Sequence, residues 1–130
     1  MWVRLYAVLA TDTGWHSPYY NESHVRLRAY VRSWVDKHIT PNCHEWDEAK
    51  SIPKEVFVEF AKSGLANTVC GPVGLKAEDI TYPLPCGLTA TTFDVFHELI
   101  IVDEFSRPGS GGTVVGLMSN PLALAECPVR

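Results

Sequence analysis

The sequence lacks the features that mark several common classes of protein. Its four cysteines, Cys43, Cys70, Cys86 and Cys127, are irregularly spaced and contain no C-x-x-C pair, so they indicate neither a zinc site nor a redox pair. Reduced thiols in an intracellular protein are therefore expected. A basic block is also missing, because 11 basic and 15 acidic side chains are mixed along the chain and leave a net charge of -4. Nucleic acid is accordingly not an expected partner.

Long hydrophobic runs are absent as well. No stretch approaches the roughly 20 apolar residues that a membrane-spanning helix needs, so no membrane span is expected. The opening MWVRLYAVLA resembles a signal peptide only superficially, because Arg4 interrupts an apolar part that is shorter than the usual run of about 7 to 15 residues. We expect a soluble chain in which residues 1–20 form an irregular or disordered leader.

Strand signals are scarce, whereas the composition suits a compact core. Residues 100–102 (IIV) and 113–115 (TVV) are rich in β-branched side chains, but both lie in longer helical patterns. The chain has 130 residues and is 46% hydrophobic, which fits one ordinary domain. The sequence therefore predicts an all-α fold of four to five helices with no substantial sheet over residues 21–119, followed by an atypical tail at 120–130.

Caps and stops mark the first three predicted helices. Asn21 is a good N-cap for a helix over residues 22–38, whose apolar positions mostly recur at three- and four-residue steps. A second, short helix is predicted over 41–49, with proline at its first position. Pro53 begins a third helix, and Gly64 supplies the left-handed residue that ends it.

A fourth helix is the best marked, and it follows a predicted long loop over residues 66–90. Thr92 is its predicted N-cap. The sequence RPGSGG at 107–112 then breaks the chain before a last apolar segment over 113–118. The predicted apolar face of the fourth helix consists of Phe93, Phe96, Leu99, Ile100 and Phe105.

Two short motifs invite a chemical interpretation, and in each case a structural one is favoured. GSGG at 109–112 has neither the preceding strand of a dinucleotide-binding fingerprint nor the Lys-Ser/Thr of a P-loop, so a helix break is favoured over phosphate binding. Cys43, His44 and Glu45 are adjacent, and adjacent residues on a helix point about 100° apart. A solvated helix face is therefore favoured there over a metal site, and no metal ligand is predicted.

Charged and aromatic residues on the helices are also given structural roles. The pairs His97-Glu98 and Asp103-Glu104 can in principle supply acid and base groups, but the charged flank of an amphipathic helix explains them as well. No residue is predicted to be catalytic. The four tryptophans include Trp34 and Trp46, which we expect in the core between helices because no basic groove accompanies them.

Two segments taken in order resemble the N-terminal helical domain of the acyl-CoA dehydrogenases, most closely its fungal branch. They read HVRLRAYVRSWVDKHITPNCHEWDEAKSIPKEVFVEFAKSGL and LPCGLTATTFDVFHELIIVDEFSRPGSGGTVVGLMSN. The features that carry the resemblance are an I-x-P after the first helix, W-D-E before I-P, a helix closing on G-L, and D-E-F-S-R where the family has an E-E pattern. The resemblance covers roughly residues 16–119 and implies an orthogonal helical domain.

The resemblance implies one part of an FAD-dependent flavoprotein that oxidises acyl-CoA thioesters. In this family FAD accepts a hydride from the β-carbon while a glutamate removes the α-proton, and the glutamate and most flavin contacts lie in later domains. The chain is expected to contribute part of the flavin-site scaffold and an apolar wall for the acyl tail. Glu104 matches a family acidic position and is assigned no catalytic role. Motif alignment assigns the acyl wall to Val114, Val115, Leu117 and Met118.

The first fifteen residues and the final NPLALAECPVR depart from the family pattern. We expect a truncated chain that is inactive alone and whose uncovered apolar face self-associates or binds the missing middle and C-terminal domains. A mitochondrial or peroxisomal location is implied by the resemblance alone. The alternative function is a non-catalytic helical interaction module that binds a protein partner and no flavin.

Overall fold

A computed structural model describes residues 18–69, 80 and 82–126 of the chain. Those residues contain no strand, and a 3-10 turn precedes the fifth helix. The predicted all-α fold is confirmed. The α-helices in this part of the chain are α1 (Glu22–His38), α2 (Cys43–Ala49), α3 (Lys54–Lys62), the single turn α4 (Leu65–Thr68), α5 (Val95–Ser106) and α6 (Gly111–Glu126), and the 3-10 turn is Pro85–Gly87.

The helix α1 begins and ends where the sequence predicts. The side chain of Asn21 accepts the backbone N–H of Ser23 at 2.8 Å, which caps the helix. The inner face of α1 packs mainly against α5. That face is fully buried because its apolar residues follow the helical repeat. Its residues with 0% exposure are Leu27, Val31 and Val35, and Ile39 extends it beyond the helix end.

Three aromatic rings form the centre of the core and join α1, α3 and α5. The ring centroid of Trp34 lies 5.6 Å from that of Phe60 and 5.7 Å from that of Phe105. Phe60 and Phe105 meet edge to face, with centroids 5.6 Å apart. Trp46 on α2 is also buried, at 8% exposure. The predicted core positions of Trp34 and Trp46 are therefore confirmed.

Two helices begin later than predicted. The helix α2 begins at Cys43 rather than at residue 41, because the amide N–H groups of Asn42 and Cys43 both donate to the carbonyl of Ile39 in a preceding turn. The helix α5 begins after Asp94, whose carboxylate accepts the helical N–H groups, and not after Thr92. The hydroxyl of Thr92 instead accepts the N–H of Thr89 at 2.9 Å in a separate turn.

The inner face of α5 differs from the predicted one, because Phe93 lies before the helix, Phe96 is only half-buried and Leu99 is exposed. Leu99 is 50% exposed, and Ile101, at 2% exposure, is buried instead. Residues 95, 99 and 102 lie on one outward row, because helical residues three or four apart share a face. This outer stripe of α5, defined by Val95, Leu99 and Val102, is 60%, 50% and 41% exposed.

Only part of the predicted loop and of the predicted leader and tail falls within the described residues. The loop predicted over 66–90 overlaps α4 and contains the 3-10 turn, while residues 70–79 and 81 lie outside the described residues. The break before α6 is confirmed, since Gly109 has a φ of +76°. The helix α6 runs past residue 119 to Glu126, and residues 1–17 of the predicted leader lie outside the described part. The domain boundaries stay predictions.

Gly64 and Gly87 allow the cost of close packing to be separated from the cost of backbone strain. Both have a left-handed backbone, with φ of +79° and +71°. A Cβ at Gly64 would collide with the carbonyl oxygen of Pro83, whereas a Cβ at Gly87 would meet nothing within 4 Å. Left-handed backbone alone costs a residue with a Cβ about 1–2 kcal/mol. Overpacking adds roughly 1–3 kcal/mol.

We therefore expect Gly64→Ala to destabilise the chain more than Gly87→Ala, by about 1–3 kcal/mol. Urea unfolding of the two variants beside the unchanged chain measures both losses. Equal losses would show that the close approach of Gly64 to Pro83 contributes nothing to stability.

Candidate functional site

A groove of about 470 Å³ lies between α6 and the segment that joins α2 to α3. Ordinary small-molecule sites have volumes of about 300–1,000 Å³, so the groove is large enough for part of a ligand. We call it the α6 groove. Its lining residues are Trp46, Asp47, Lys50, Ser51, Ile52, Phe57, Gly112, Thr113 and Gly116.

A tight reversal at the end of α2 builds the first wall. Lys50 has a left-handed backbone with φ of +52°, and its N–H donates to the carbonyl of Asp47 at 3.3 Å. The N–H of Ser51 donates to the carbonyl of Trp46 at 3.2 Å, which closes the helix end. The chain then turns, and the half-buried side chain of Ile52 contributes to the groove.

Two glycines let α6 approach this wall closely. Gly112 and Gly116 are four residues apart and therefore share one helix face. A Cβ at Gly112 would lie 2.6 Å from Oδ1 of Asp47, and one at Gly116 would lie 2.8 Å from Cδ1 of Ile52. Side chains at these positions would narrow the groove. The glycine spacing G-x-x-x-G at 112–116 was the sequence signal for this wall, and the sequence interpretation did not use it.

Thr113 places a polar group in the floor of the groove. Its N–H donates to the hydroxyl of Ser110 at 3.3 Å, which caps the start of α6. Its own Oγ1 is buried and has no hydrogen-bond partner within the described residues. This hydroxyl has almost no accessible surface, so it is not a hydrogen-bonding position for a molecule in the groove.

The four residues predicted as acyl wall lie on α6 but not in the lining of the α6 groove. Leu117 is 0% exposed and belongs to the core. Val114 and Met118 are partly buried and pack against that core. Val115 points outward and is 61% exposed. Contact between these residues and an acyl tail stays a prediction.

A buried ion cluster joins α1 to α5 through Glu104, which is 0% exposed. Arg32 donates to both of its carboxylate oxygens, from Nη2 to Oε1 at 2.8 Å and from Nε to Oε2 at 3.0 Å. Nη1 of Arg107 lies 3.2 Å from Oε2, and Nη1 of Arg28 lies 3.6 Å from Oε1. Burial raises the pKa of the neighbouring Asp103, although Arg28 opposes the shift. Glu104 therefore has a structural role, but it does not lie on the solvated flank that the sequence predicts.

The residues of the Cys43-His44-Glu45 motif do not converge, as predicted, but the predicted solvated face is wrong for Cys43, which lies in the core. Cys43 is buried and its thiol lies 3.6 Å from the carbonyl of Thr40, while His44 and Glu45 are exposed. Within the described residues, the side chains that come together as possible metal ligands are instead His24, Asp94 and His97. The sequence interpretation did not group them, because His24 and Asp94 are 70 positions apart.

Comparison with known proteins identifies the domain. Residues 21–72 match the family model described as acyl-CoA dehydrogenase, N-terminal domain. The chain is 36% identical over 98 residues to the acyl-CoA dehydrogenase AFT10-1 of Alternaria alternata, a match that covers 75% of this chain. The chain carries an acyl-CoA dehydrogenase N-terminal domain.

A second relative supports the same family. The acyl-CoA dehydrogenase N-terminal domain described here is 28% identical over 111 residues to the acyl-CoA dehydrogenase apdG of Emericella nidulans, which covers 76% of this chain. Each match spans 23% of the relative's own length, so this chain corresponds to less than a quarter of either protein. No solved structure matches the chain significantly. The predicted family is confirmed.

The α6 groove of this acyl-CoA dehydrogenase N-terminal domain does not fit FAD. The pyrophosphate of FAD needs cationic side chains or free backbone N–H groups. The groove offers Lys50, but the carboxylate of Asp47 lies beside the first turn of α6, where it repels a second anion. Trp46, Ile52 and Phe57 make the remaining wall apolar. The groove therefore suits a hydrocarbon chain better than a dinucleotide. Among the described residues no helix has the length and apolar character needed to cross a membrane.

Proposed function

We propose that this chain acts as the N-terminal domain of an FAD-dependent enzyme that oxidises the Cα–Cβ bond of an acyl-CoA thioester. The α6 groove is the observation that carries its role, which is to bind the acyl tail. The match to two acyl-CoA dehydrogenases supports the reaction class. Since each match spans 23% of its relative, the complete reaction needs parts of the enzyme beyond this domain.

The chemistry of the groove supports acyl binding. Trp46, Ile52 and Phe57 offer apolar surface, and burying each methylene of a hydrocarbon chain contributes about 0.8 kcal/mol. Gly112 and Gly116 leave the room that side chains would fill.

The predicted wall residues take a supporting part in this proposal. Leu117, with Val114 and Met118 beside it, packs α6 onto the core and so positions the glycine face of the groove. Val115 is exposed on the adjacent row of the helix and is available to an acyl tail or to another domain. FAD, when bound in such an enzyme, accepts the hydride. We place its site and the catalytic base outside this domain, and we expect no turnover from the chain alone.

A second function, a non-catalytic helical interaction module, is favoured by the outer stripe of α5. Its apolar side chains, Val95, Leu99 and Val102, are 60%, 50% and 41% exposed in a row, which is the arrangement that binds another protein surface. The two functions differ in their ligands. The module predicts a protein partner and no effect of acyl-CoA, whereas the dehydrogenase domain predicts a response to acyl chains.

The groove can be tested with Gly116→Leu, which fills it. The chain is mixed with the middle and C-terminal parts of a related dehydrogenase, and flavin absorbance and oxidation of a long-chain acyl-CoA are measured. We expect turnover from the mixture, and a kcat/KM at least about tenfold lower with Gly116→Leu, equal to the loss of about two buried methylenes. Val58→Leu, at an exposed position of α3 outside the groove lining, is the control and should leave kcat/KM nearly unchanged.

Three results would decide against parts of the proposal. If Gly116→Leu gives the same kcat/KM as Val58→Leu and the unchanged chain, the α6 groove does not bind the tail. Turnover by the isolated chain would show that the catalytic base and the flavin site lie within it. If no mixture binds flavin or oxidises acyl-CoA while the chain captures a defined protein through the outer stripe, the interaction module is the better description.

A further inference from the structure

Two buried histidines join the first turns of α1 and α5. His24 and His97 are each 1% exposed, and their rings stack with centroids 3.8 Å apart and planes 18° apart. Each is the third residue of its helix and has the same relation to its N-cap. Nδ1 of His24 accepts the backbone N–H of Asn21 at 3.1 Å, and Nδ1 of His97 accepts that of Asp94 at 3.2 Å. We call this arrangement the histidine clasp.

Each ring also bonds to the start of the other helix. Nε2 of His24 lies 3.0 Å from Oδ1 of Asp94, and Nε2 of His97 lies 2.9 Å from the hydroxyl of Ser23. A neutral ring whose Nδ1 accepts an N–H carries its proton on Nε2. His24 therefore donates to Asp94, and His97 donates to Ser23, whose own hydroxyl donates to Asn21 at 2.6 Å. With both protons on Nε2, each ring nitrogen has a hydrogen-bonding partner while both rings are neutral, and Nδ1 of His97 also lies 2.8 Å from Oδ1 of Asp94.

Aromatic rings cover both histidines of the clasp. The ring of Tyr20 stacks on His24 at 5.4 Å, and the ring of Phe93 stacks on His97 at 5.6 Å. Asp94 is the acidic group that faces both rings. On the side of α1 the facing groups are Tyr20 and, across its ring at 5.8 Å, the guanidinium of Arg28. Burial and the neighbouring His24 act to lower the pKa of His97, while Asp94 acts to raise it.

We propose that the histidine clasp is a proton-sensitive device that loosens the starts of α1 and α5 together in mild acid. A proton bound at Nδ1 of either ring removes the acceptor for the backbone N–H of Asn21 or Asp94, so that helix start loses half of its capping box. The same proton would instead face the Oδ1 of that cap residue, at 3.0 Å for Asn21 and 2.8 Å for Asp94, which changes the bonding at the cap. Because the rings stack at 3.8 Å, a second charge is strongly opposed by the first. The clasp therefore opens rather than taking up two protons.

The pKa shifts agree in sign with this geometry. Burial and the neighbouring His24 lower the pKa of His97. A histidine with a lowered pKa in the folded state binds fewer protons than in the unfolded chain, so the stability it contributes is complete above a pH of about 6.5 and falls below it. Burial acts to raise the pKa of Asp94, but hydrogen bonds from His24 and His97 give a net lowering from 3.8. Its contribution is lost only below that value, in a separate pH window.

A metal site is the other interpretation of this cluster, and the ring geometry opposes it. A metal bound to an imidazole nitrogen lies close to the plane of that ring. The two rings are nearly parallel, with centroids 3.8 Å apart, so one ion cannot lie in both ring planes and close to a nitrogen of each ring. The backbone N–H groups of Asn21 and Asp94 also occupy both Nδ1 atoms. Stabilisation by added zinc is therefore the result that would favour a metal site over the clasp.

Glutamine variants separate titration from capping. Glutamine at the third helical position can accept the N-cap N–H as histidine does, but it does not titrate. We expect the unfolding constant of the 130-residue chain in urea to rise by up to about tenfold for each pH unit below about 6.5, the limit for uptake of one proton. His97→Gln should flatten this rise, and His24→Gln/His97→Gln should nearly remove it between pH 7.5 and 5. His44→Gln, which changes an exposed histidine, should keep the full dependence.

Two outcomes would overturn the proposal. One is an unchanged pH dependence in His97→Gln and in the double variant. The other is stabilisation of the unchanged chain by added zinc that His24→Gln abolishes, which would make the cluster a metal site. If the variants do not fold, amide hydrogen exchange of the unchanged chain at pH 7.5 and 5.5, corrected for intrinsic rates, replaces them. Protection should fall in the first turns of α1 and α5 together, and loss confined to one helix would contradict the clasp.

Discussion

Replacing Glu104 with alanine is expected to lower the free energy of unfolding by about 3–5 kcal/mol. Glu104 is 0% exposed and accepts two hydrogen bonds from Arg32. Arg28, 6% exposed, lies 3.6 Å from the same carboxylate, and its Nη2 has no hydrogen-bond partner among the described residues. Loss of the carboxylate would leave a buried guanidinium facing Asp103 alone at 3.5 Å in this cluster. An undercompensated buried charge is much more costly than a lost surface contact.

Urea unfolding at pH 7.5 measures this loss, and Glu59→Ala provides the matched control. Glu59 pairs with Lys62 at 3.1 Å on the exposed side of α3, where such a pair contributes about 0.2–0.5 kcal/mol. Glu104→Gln, which keeps the shape and removes the charge, should also destabilise the chain clearly. A loss from Glu104→Ala as small as that from Glu59→Ala would show that the ion cluster does not stabilise the joint between α1 and α5.

The position of Glu104 illustrates what a local pattern does not contain. The neighbouring Asp103 and Glu104 look like the charged flank of an amphipathic helix, because a short window records only their spacing. The partner that accounts for the burial of Glu104 is Arg32, 72 positions earlier in the chain. The helix could be predicted from its own residues, but the buried ion pair depends on how α1 packs against α5.

Helix boundaries were predictable where capping chemistry was unambiguous. Asn21 was the one strong cap before the first periodic segment, and α1 begins there as predicted. Before α5 both Thr92 and Asp94 are good caps. Asp94 is the observed cap because His97, three residues later, completes a reciprocal capping box with it. Leu99 was expected to be buried because Leu99, Ile100 and Ile101 are all apolar, and only the packing of α5 against α1 shows that Leu99 faces outward.

The α6 groove was only partly predictable. The large apolar residues of α6 pack against the core, whereas its small residues line the groove. The pattern indicated Val114, Val115, Leu117 and Met118, and packing directs Leu117 into the core. The groove face is defined instead by small residues that allow another segment to approach. That second segment, residues 46–52, is far away in sequence, so the groove exists only after α6 has docked against it.

Phe105→Ala is expected to cost about 3–5 kcal/mol of unfolding free energy, because it removes a fully buried ring and leaves a cavity. Phe105 is 0% exposed and contacts Trp34 and Phe60 with ring centroids 5.7 Å and 5.6 Å away. These rings belong to α1, α3 and α5, so the substitution weakens the contacts among three helices at once. Val102→Ala, on the same helix at 41% exposure, should change stability by less than about 0.5 kcal/mol.

Urea unfolding of the two variants gives the difference, and near-ultraviolet circular dichroism follows the environment of Trp34. We expect Phe105→Ala to weaken the aromatic signal of the folded chain, while Val102→Ala leaves it unchanged. Phe105→Leu should lose less stability than Phe105→Ala, since a smaller cavity costs less. If Phe105→Ala costs no more than Val102→Ala, the three rings do not form the stabilising centre of this domain, and the core has to be sought in the apolar face of α1 and its contact with α5.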